Sequence, residues 1–237
     1  MRPHQTRREF LGKVASTSLG LGIGGLVPRP HGSVVLSQDV QDVRLNQLNR
    51  DLERVTRQVV QRGLDDESYQ QIADYMRQYA EDARENQRDA RLLDGIRTVL
   101  EHPEGGQAVL VDQMLGSHEE INATAREMGI QQAIADPVTE PDVKLTQFLD
   151  TDSPYTTAYD DVADTLARER PSVVSEAFCT ELDAARDNVQ TLTAVVCGFA
   201  GGVSALSLGA LLPFAAGMCF GAAVGVGALW GIDRQRC

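Results

Sequence analysis

The chain has 237 residues and a formal charge of −12, room for one large or two small domains with a buried core. Its basic residues are twenty arginines and two lysines, Lys13 and Lys144, and an acidic, lysine-poor surface argues against nucleic acid or anionic lipid headgroups as the main partner. Charge is uneven: residues 1–37 carry +4 (five basic, one acidic), 38–170 carry −14 (14 basic, 28 acidic) and 171–237 carry −2 (three basic, five acidic), which divides the chain into three parts.

The first part, residues 1–36, reads as a targeting segment. Thr6-Arg7-Arg8-Glu9-Phe10-Leu11-Gly12-Lys13 resembles the twin-arginine export consensus, with Arg7, Arg8, Phe10 and Leu11 as its signature. Val14 to Val27 follows as a Gly-rich apolar stretch, too short to span a bilayer. Cleavage is expected between Gly32 and Ser37. The expected export partner is the twin-arginine translocase, and the destination an oxidising compartment in which disulfides persist.

The second part, residues 37–170, reads as an acidic helical region. Leu45, Leu48, Leu52, Val55 and Val59 form one helical stripe between Asp39 and Arg62, and Gly63 ends it. A second helix is expected from Asp66 to Leu100, with a weakly apolar middle at Glu81 to Arg91 that is exposed or bent. Pro103-Glu104-Gly105-Gly106 breaks the chain. A short helix over Gln107–Leu115 then precedes a capping box at Ser117-His118-Glu119-Glu120. The helix so begun uses Ile121, Ala125 and Met128 and stops at Gly129. Pro141 opens another short helix reaching Leu149, and Thr157–Arg168 is a last amphipathic one. No segment alternates as a strand does, so the expected fold is all-α.

No catalytic constellation stands out. The histidines are His4, His31, His102 and His118, and His118-Glu119-Glu120 lacks the second histidine one turn on that a zinc site needs. GFAGG at Gly198–Gly202 lacks the Lys-Ser/Thr of a phosphate loop. Asn122-Ala123-Thr124 matches a glycosylation sequon, although one placed inside a helix. No cofactor or metal is expected, and the chain is not read as an enzyme.

The third part, residues 171–237, differs from the rest. Leu192 to Gly231 is forty residues without a charge, and all four cysteines, Cys179, Cys197, Cys219 and Cys237, lie in or beside it. Cys179 to Cys197 and Cys219 to Cys237 each span eighteen residues, five helical turns or about 27 Å of rise, so neither pair can bridge along a straight helix. Folding the chain back at Leu208-Gly209 brings Cys197 to Cys219 and Cys179 to Cys237. Nested bridges in an αα-hairpin are therefore expected, with two other pairings open. Gly217, Gly221 and Gly225 form a ladder of small residues suited to close helix packing, and each half is just long enough to cross a membrane.

The run from Cys197 through Gly201-Gly202, then Gly209, Pro213, Ala216 and Cys219, resembles the cysteine-rich halocin (microhalocin) peptides of halophilic archaea, closely over about thirty residues and loosely over 170–237. The resemblance implies a precursor of three parts: a twin-arginine signal, an acidic N-terminal part able to confer immunity, and a C-terminal peptide antibiotic. Ala205 and Gly227 stand where the family peptide has cysteines, implying one bridge fewer here.

The expected function is a secreted precursor whose released hairpin acts on a competitor's membrane or a protein within it, the N-terminal region associating with the peptide. The alternative is an exported protein that the hairpin anchors permanently in the cell membrane.

Overall fold

The computed structural model describes residues 35–85, 87–150, 157–168 and 176–237, with side-chain surroundings from residue 43 onward. Eight helices occupy these residues: α1 Val35–Arg62, α2 Asp66–Glu85, α3 Arg88–Leu100, α4 Gly106–Glu127, α5 Pro141–Phe148, α6 Ala158–Arg168, α7 Glu176–Ala205 and α8 Leu212–Arg236. No strand occurs among the described residues. The fold is all-α, with a disulfide-bonded hairpin at its C-terminal end, as the sequence leads one to expect.

The stripe of α1 forms the expected face: Leu45, Leu48, Leu52, Val55 and Val59 are all buried. Gly63 ends the helix in the left-handed region at φ 92°, where its N–H returns to the Val59 carbonyl at 2.9 Å. The next helix opens on a cap that sequence reading passed over. Ser68 N–H donates to Asp65 Oδ1 at 2.8 Å and Asp65 N–H donates to Ser68 Oγ at 3.2 Å, so each backbone donor is satisfied by the other residue's side-chain oxygen. Hydrogen bonds from the Ser68 hydroxyl and backbone hold the Asp65 carboxyl below its ordinary range.

The helix expected over 66–100 is two helices. Gln87 lies between them at φ 51°, within the stretch expected to be exposed or bent: Glu81, Arg84, Glu85 and Gln87 are exposed, while Asp82, Ala83 and Arg88 turn inward. Asp82 and Arg88 are 2% and 4% exposed and pair at 3.1 Å. Arg88 also donates to the Tyr79 carbonyl at 2.5 Å. A buried ion pair joined across the break leaves neither charge uncompensated.

A second correction concerns α4, which runs unbroken through residues 107–127 where two helices were expected. Ser117 is 1% exposed, mid-helix, and its hydroxyl donates back to the Met114 carbonyl at 2.7 Å. A side chain so bonded cannot cap a new helix. α4 does stop at Gly129 (φ 90°), where Ile130 N–H bonds the Ala125 carbonyl and Gly129 N–H that of Arg126, a Schellman closure.

The centre of the molecule is α7. It packs against α3, α4, α5, α6 and α8, while α8 packs also against α2 and α4. Val195, Phe199, Val203, Val224, Val226 and Leu229 are fully buried there, in one core with Ile72, Met76 and Ile96 from the acidic helices. Helices from before and after residue 170 thus share a single apolar interior, and the uncharged hairpin lies at the heart of residues 39–237.

Candidate functional site: the hairpin and its cradle

Both bridges of the hairpin are nested. Cys197 pairs with Cys219 across a Cα separation of 4.5 Å, and Cys179 with Cys237 across 5.7 Å. Counting five helical turns outward from the inner pair on each side of one reversal puts both pairs in register. In the chain-entropy account, closing a loop of 58 residues is worth about 4 kcal/mol and one of 22 residues about 3 kcal/mol, each taken alone. Neither bridge ties the hairpin to the acidic helices.

The reversal itself departs from expectation in one detail. Ser207, at φ 58°, is the left-handed residue, and Gly209 makes no close approach to anything. Leu208 N–H returns to the Val203 carbonyl at 2.9 Å and Ser207 N–H to that of Ser204 at 3.2 Å, which closes α7 in the same way that Gly129 closes α4. Serine tolerates this backbone at some cost. Pro213 then stands in the first turn of α8, where its missing N–H is harmless.

Glycines of the hairpin mark where the other helices touch it. A methyl group at Gly198 would lie 2.5 Å from Met114 Cγ and 3.1 Å from Met114 Cα, so α4 crosses there at backbone distance. At Gly201 it would overlap Gln113, and at Gly202 it would come within 3.3 Å of Val99. The ladder on α8 meets α1, α2 and α6: Gly217 lies against Leu45 and Asn46, Gly221 against Asn49 and Tyr79, Gly225 against Tyr159 and Met76. The ladder therefore packs protein, and its partners are side chains of the acidic region. One contact is reversed, the Phe199 ring of α7 filling the space over Gly95 of α3.

Polar groups fix the two ends of α8. Near its start, Asn49 Nδ2 donates to the Gly217 carbonyl at 2.9 Å, and the Arg91 guanidinium lies 4.1 Å above the Phe214 ring. At its far end Gln235 enters the α1–α2 junction, donating to the Val59 carbonyl at 3.1 Å and accepting from Leu64 N–H. Arg236 donates to the Leu64 carbonyl at 3.4 Å. Arg234 stacks on the half-buried Trp230 ring.

Between these ends lies a polar patch. The Tyr79 and Tyr159 rings are 4.7 Å apart, and the Arg88 guanidinium sits 4.0 Å above Tyr79. Burial pushes both phenols upward, Tyr159 well above the usual tyrosine range. Their hydroxyls and Asn49 Oδ1 are buried with no hydrogen-bond partner among the described residues. A cavity of about 310 Å³ opens beside them, between Leu92 and Phe148 on one side and Val196, Met218 and Ala222 of the hairpin on the other. Asp89 borders it, and burial raises its carboxyl above the ordinary range.

The remaining sequence candidates fall as follows. Arg7, Arg8, Phe10 and Leu11 lie outside the described residues. Ser37, the far limit of the expected cleavage window, is within α1. Asn122 is 5% exposed and fully engaged: Nδ2 donates to the Ile134 carbonyl at 2.7 Å, and Oδ1 accepts from Ala133 and Ile134 N–H at 2.8 and 3.0 Å. Its side chain is a structural clasp for residues 133 and 134. His118 is half-buried beside Glu119 and the Leu115 carbonyl. Ala205 is exposed near the reversal, whereas Gly227 is buried with Met128 Cε 2.5 Å from where a side chain would begin.

Asn49, Tyr79, Tyr159 and Gln235 are the contributors that sequence reading missed. Asn49 follows Leu48 inside an otherwise apolar stripe, a polar residue on a buried face, and that was its only signal. No protein-family model, curated protein or solved structure matches the chain.

Proposed function

We propose that the chain is the secreted precursor of a halocin-like peptide antimicrobial, in which the acidic helices hold the hydrophobic hairpin until it is released. The carrying observation is the division of bonds. Both disulfides are internal to residues 179–237, while every described tie between hairpin and cradle is non-covalent. Cutting the connection at residues 169–175 would leave a module that keeps its own staples and is held by non-covalent contacts alone, from which a membrane could draw it out. Its glycine faces and its buried Phe199, Val203 and Leu229 would then lack partners, and an apolar surface of that kind seeks a membrane or a hydrophobic protein face. With −2 net charge on residues 171–237, apolar burial supplies the affinity rather than attraction to anionic headgroups. The acidic helices act in this reading as a holding or immunity element, without catalysis.

The proposal is tested by mass spectrometry of culture supernatant beside a growth-inhibition assay. It expects a peptide from the C-terminal region, two disulfides intact, in the inhibitory fraction. Full-length chain alone, cell-bound and inactive, refutes it.

One observation favours the alternative of a permanent anchor. α8 is long and apolar enough to cross a membrane by length and composition, although 67% of its most apolar window is buried in the bundle. Carbonate extraction separates the readings, because an anchor stays with the membrane pellet.

A further inference from the structure

The ladder on α8 is read most closely at one rung. Gly217 and Gly225 have ordinary space in front of them, the nearest atoms 3.6 Å and 3.4 Å from where a methyl group would sit. At Gly221 that methyl would overlap both Asn49 Oδ1 and the Tyr79 hydroxyl. Side-chain tips can often swing aside, but these two are held. Asn49 is 1% exposed and its amide is bonded to the Gly217 carbonyl. Tyr79 is 3% exposed, its ring clasped between Arg88 and Tyr159. Both oxygens are unpartnered among the described residues, so the polar tips are placed against α8 at the expense of hydrogen bonds made elsewhere. Buried polar groups in such a position discriminate by exclusion: a bare backbone fits, and a side chain meets two oxygens whose side chains are held by their other contacts.

We propose that Asn49 and Tyr79 form a selectivity gate by which the acidic helices accept a hairpin with glycine at residue 221 and reject one bearing any side chain there. The occupant is the α8 segment 217–225 of the same chain. The inference rests on the holding role proposed above, and gives that role its specificity-determining residues. Hairpins from related peptides would be sorted at this rung, because packing overlap at a held site is penalised where loss of a flexible contact is not.

The test uses the full chain carrying a single protease site within residues 169–175, folded with both bridges closed and then cut. Retention of the two pieces is measured by size exclusion over a dilution series. The wild-type pieces stay together. Gly221→Ala weakens retention about tenfold or more, and adding Asn49→Ala with Tyr79→Phe, which removes both gate oxygens, restores it. Gly209→Ala, with open space in front of it, leaves retention unchanged. Wild-type pieces that part on cutting overturn the proposal, as does Gly221→Ala retained like wild type or a triple variant as weak as the single one. If Gly221→Ala does not fold, the triple variant decides: recovery of a folded chain supports the gate and failure refutes it. Growth inhibition is a separate readout, so an inactive peptide with this retention pattern sinks the antimicrobial reading and leaves the gate standing.

Discussion

Between Leu192 and Gly231 the hairpin has no charged side chain and meets its neighbours through glycine, whereas the helices around it carry 14 basic and 28 acidic residues over 38–170 and meet it with large side chains. Met114 lies on Gly198, Gln113 on Gly201, Tyr79 on Gly221, Tyr159 on Gly225 and Met128 on Gly227. The hairpin keeps a narrow outline and the cradle supplies the bulk. The two also differ in what holds them. The hairpin has covalent staples at two levels, while the cradle relies on caps, buried polar clasps and the core it shares with the hairpin. In the proposed release, the two staples would keep the helices of the departing hairpin paired.

The largest break in that comparison comes from the staples. Replacing Cys179 and Cys237 together by Ser is expected to cost about 4 kcal/mol in urea unfolding, against about 3 kcal/mol for Cys197 and Cys219. Equal and negligible losses would mean that the hairpin is held by its cradle alone. Next comes the seam between the two regions. Gly198→Val puts atoms into the Met114 backbone and is expected to cost about 3 kcal/mol, read as a lowered urea midpoint. Within the cradle, Asn122→Ala leaves the buried Ala133 N–H without its acceptor and strips Ile134 of two bonds, for a loss of about 2 kcal/mol. The same variant leaves any glycosylation pattern unchanged, since the side chain is buried.

The smallest effect sharpens the polar patch. Because burial raises the Tyr159 phenol in the folded state, the unfolded chain loses that proton first as pH rises. Stability therefore falls with pH above about 10, the ordinary tyrosine value. Tyr159→Phe removes this contribution, and its stability curve declines less steeply in that range. An unchanged alkaline slope would show that Tyr159 is not sealed against α8.

Spacing carried most of what could be read in advance. The α1 stripe follows from periodicity, the short helix at Pro141 from proline's fit to a first helical position, and the nested cysteines from helical spacing about one reversal near residue 208. The weakly apolar stretch from Glu81 to Arg91 signalled a bend, but its place at Gln87 was illegible because neither Pro nor Gly marks it, and its stabilising ion pair, Asp82–Arg88, joins residues that look like surface charge. The reversal uses Ser207 although a glycine stands two residues on, since the closing bonds to Val203 and Ser204 choose the position. Ser117-His118-Glu119-Glu120 has the pattern of a helix start, but the Met114 carbonyl takes the hydroxyl and the helix continues. The Gly217–Gly221–Gly225 ladder signalled close packing without naming its partner, because glycine spacing is the same whether lipid-embedded or water-soluble helices lie against it.

The central claim is that residues 179–237 are a self-contained stapled module held non-covalently by the acidic helices. Native mass spectrometry of the folded chain cut within residues 169–175, first in water and then with detergent micelles, tests it most directly. The account predicts a one-to-one complex in water that separates in micelles, releasing a C-terminal piece with both disulfides closed. Pieces that part on cutting in water, or that remain joined by a disulfide after denaturation, would contradict it.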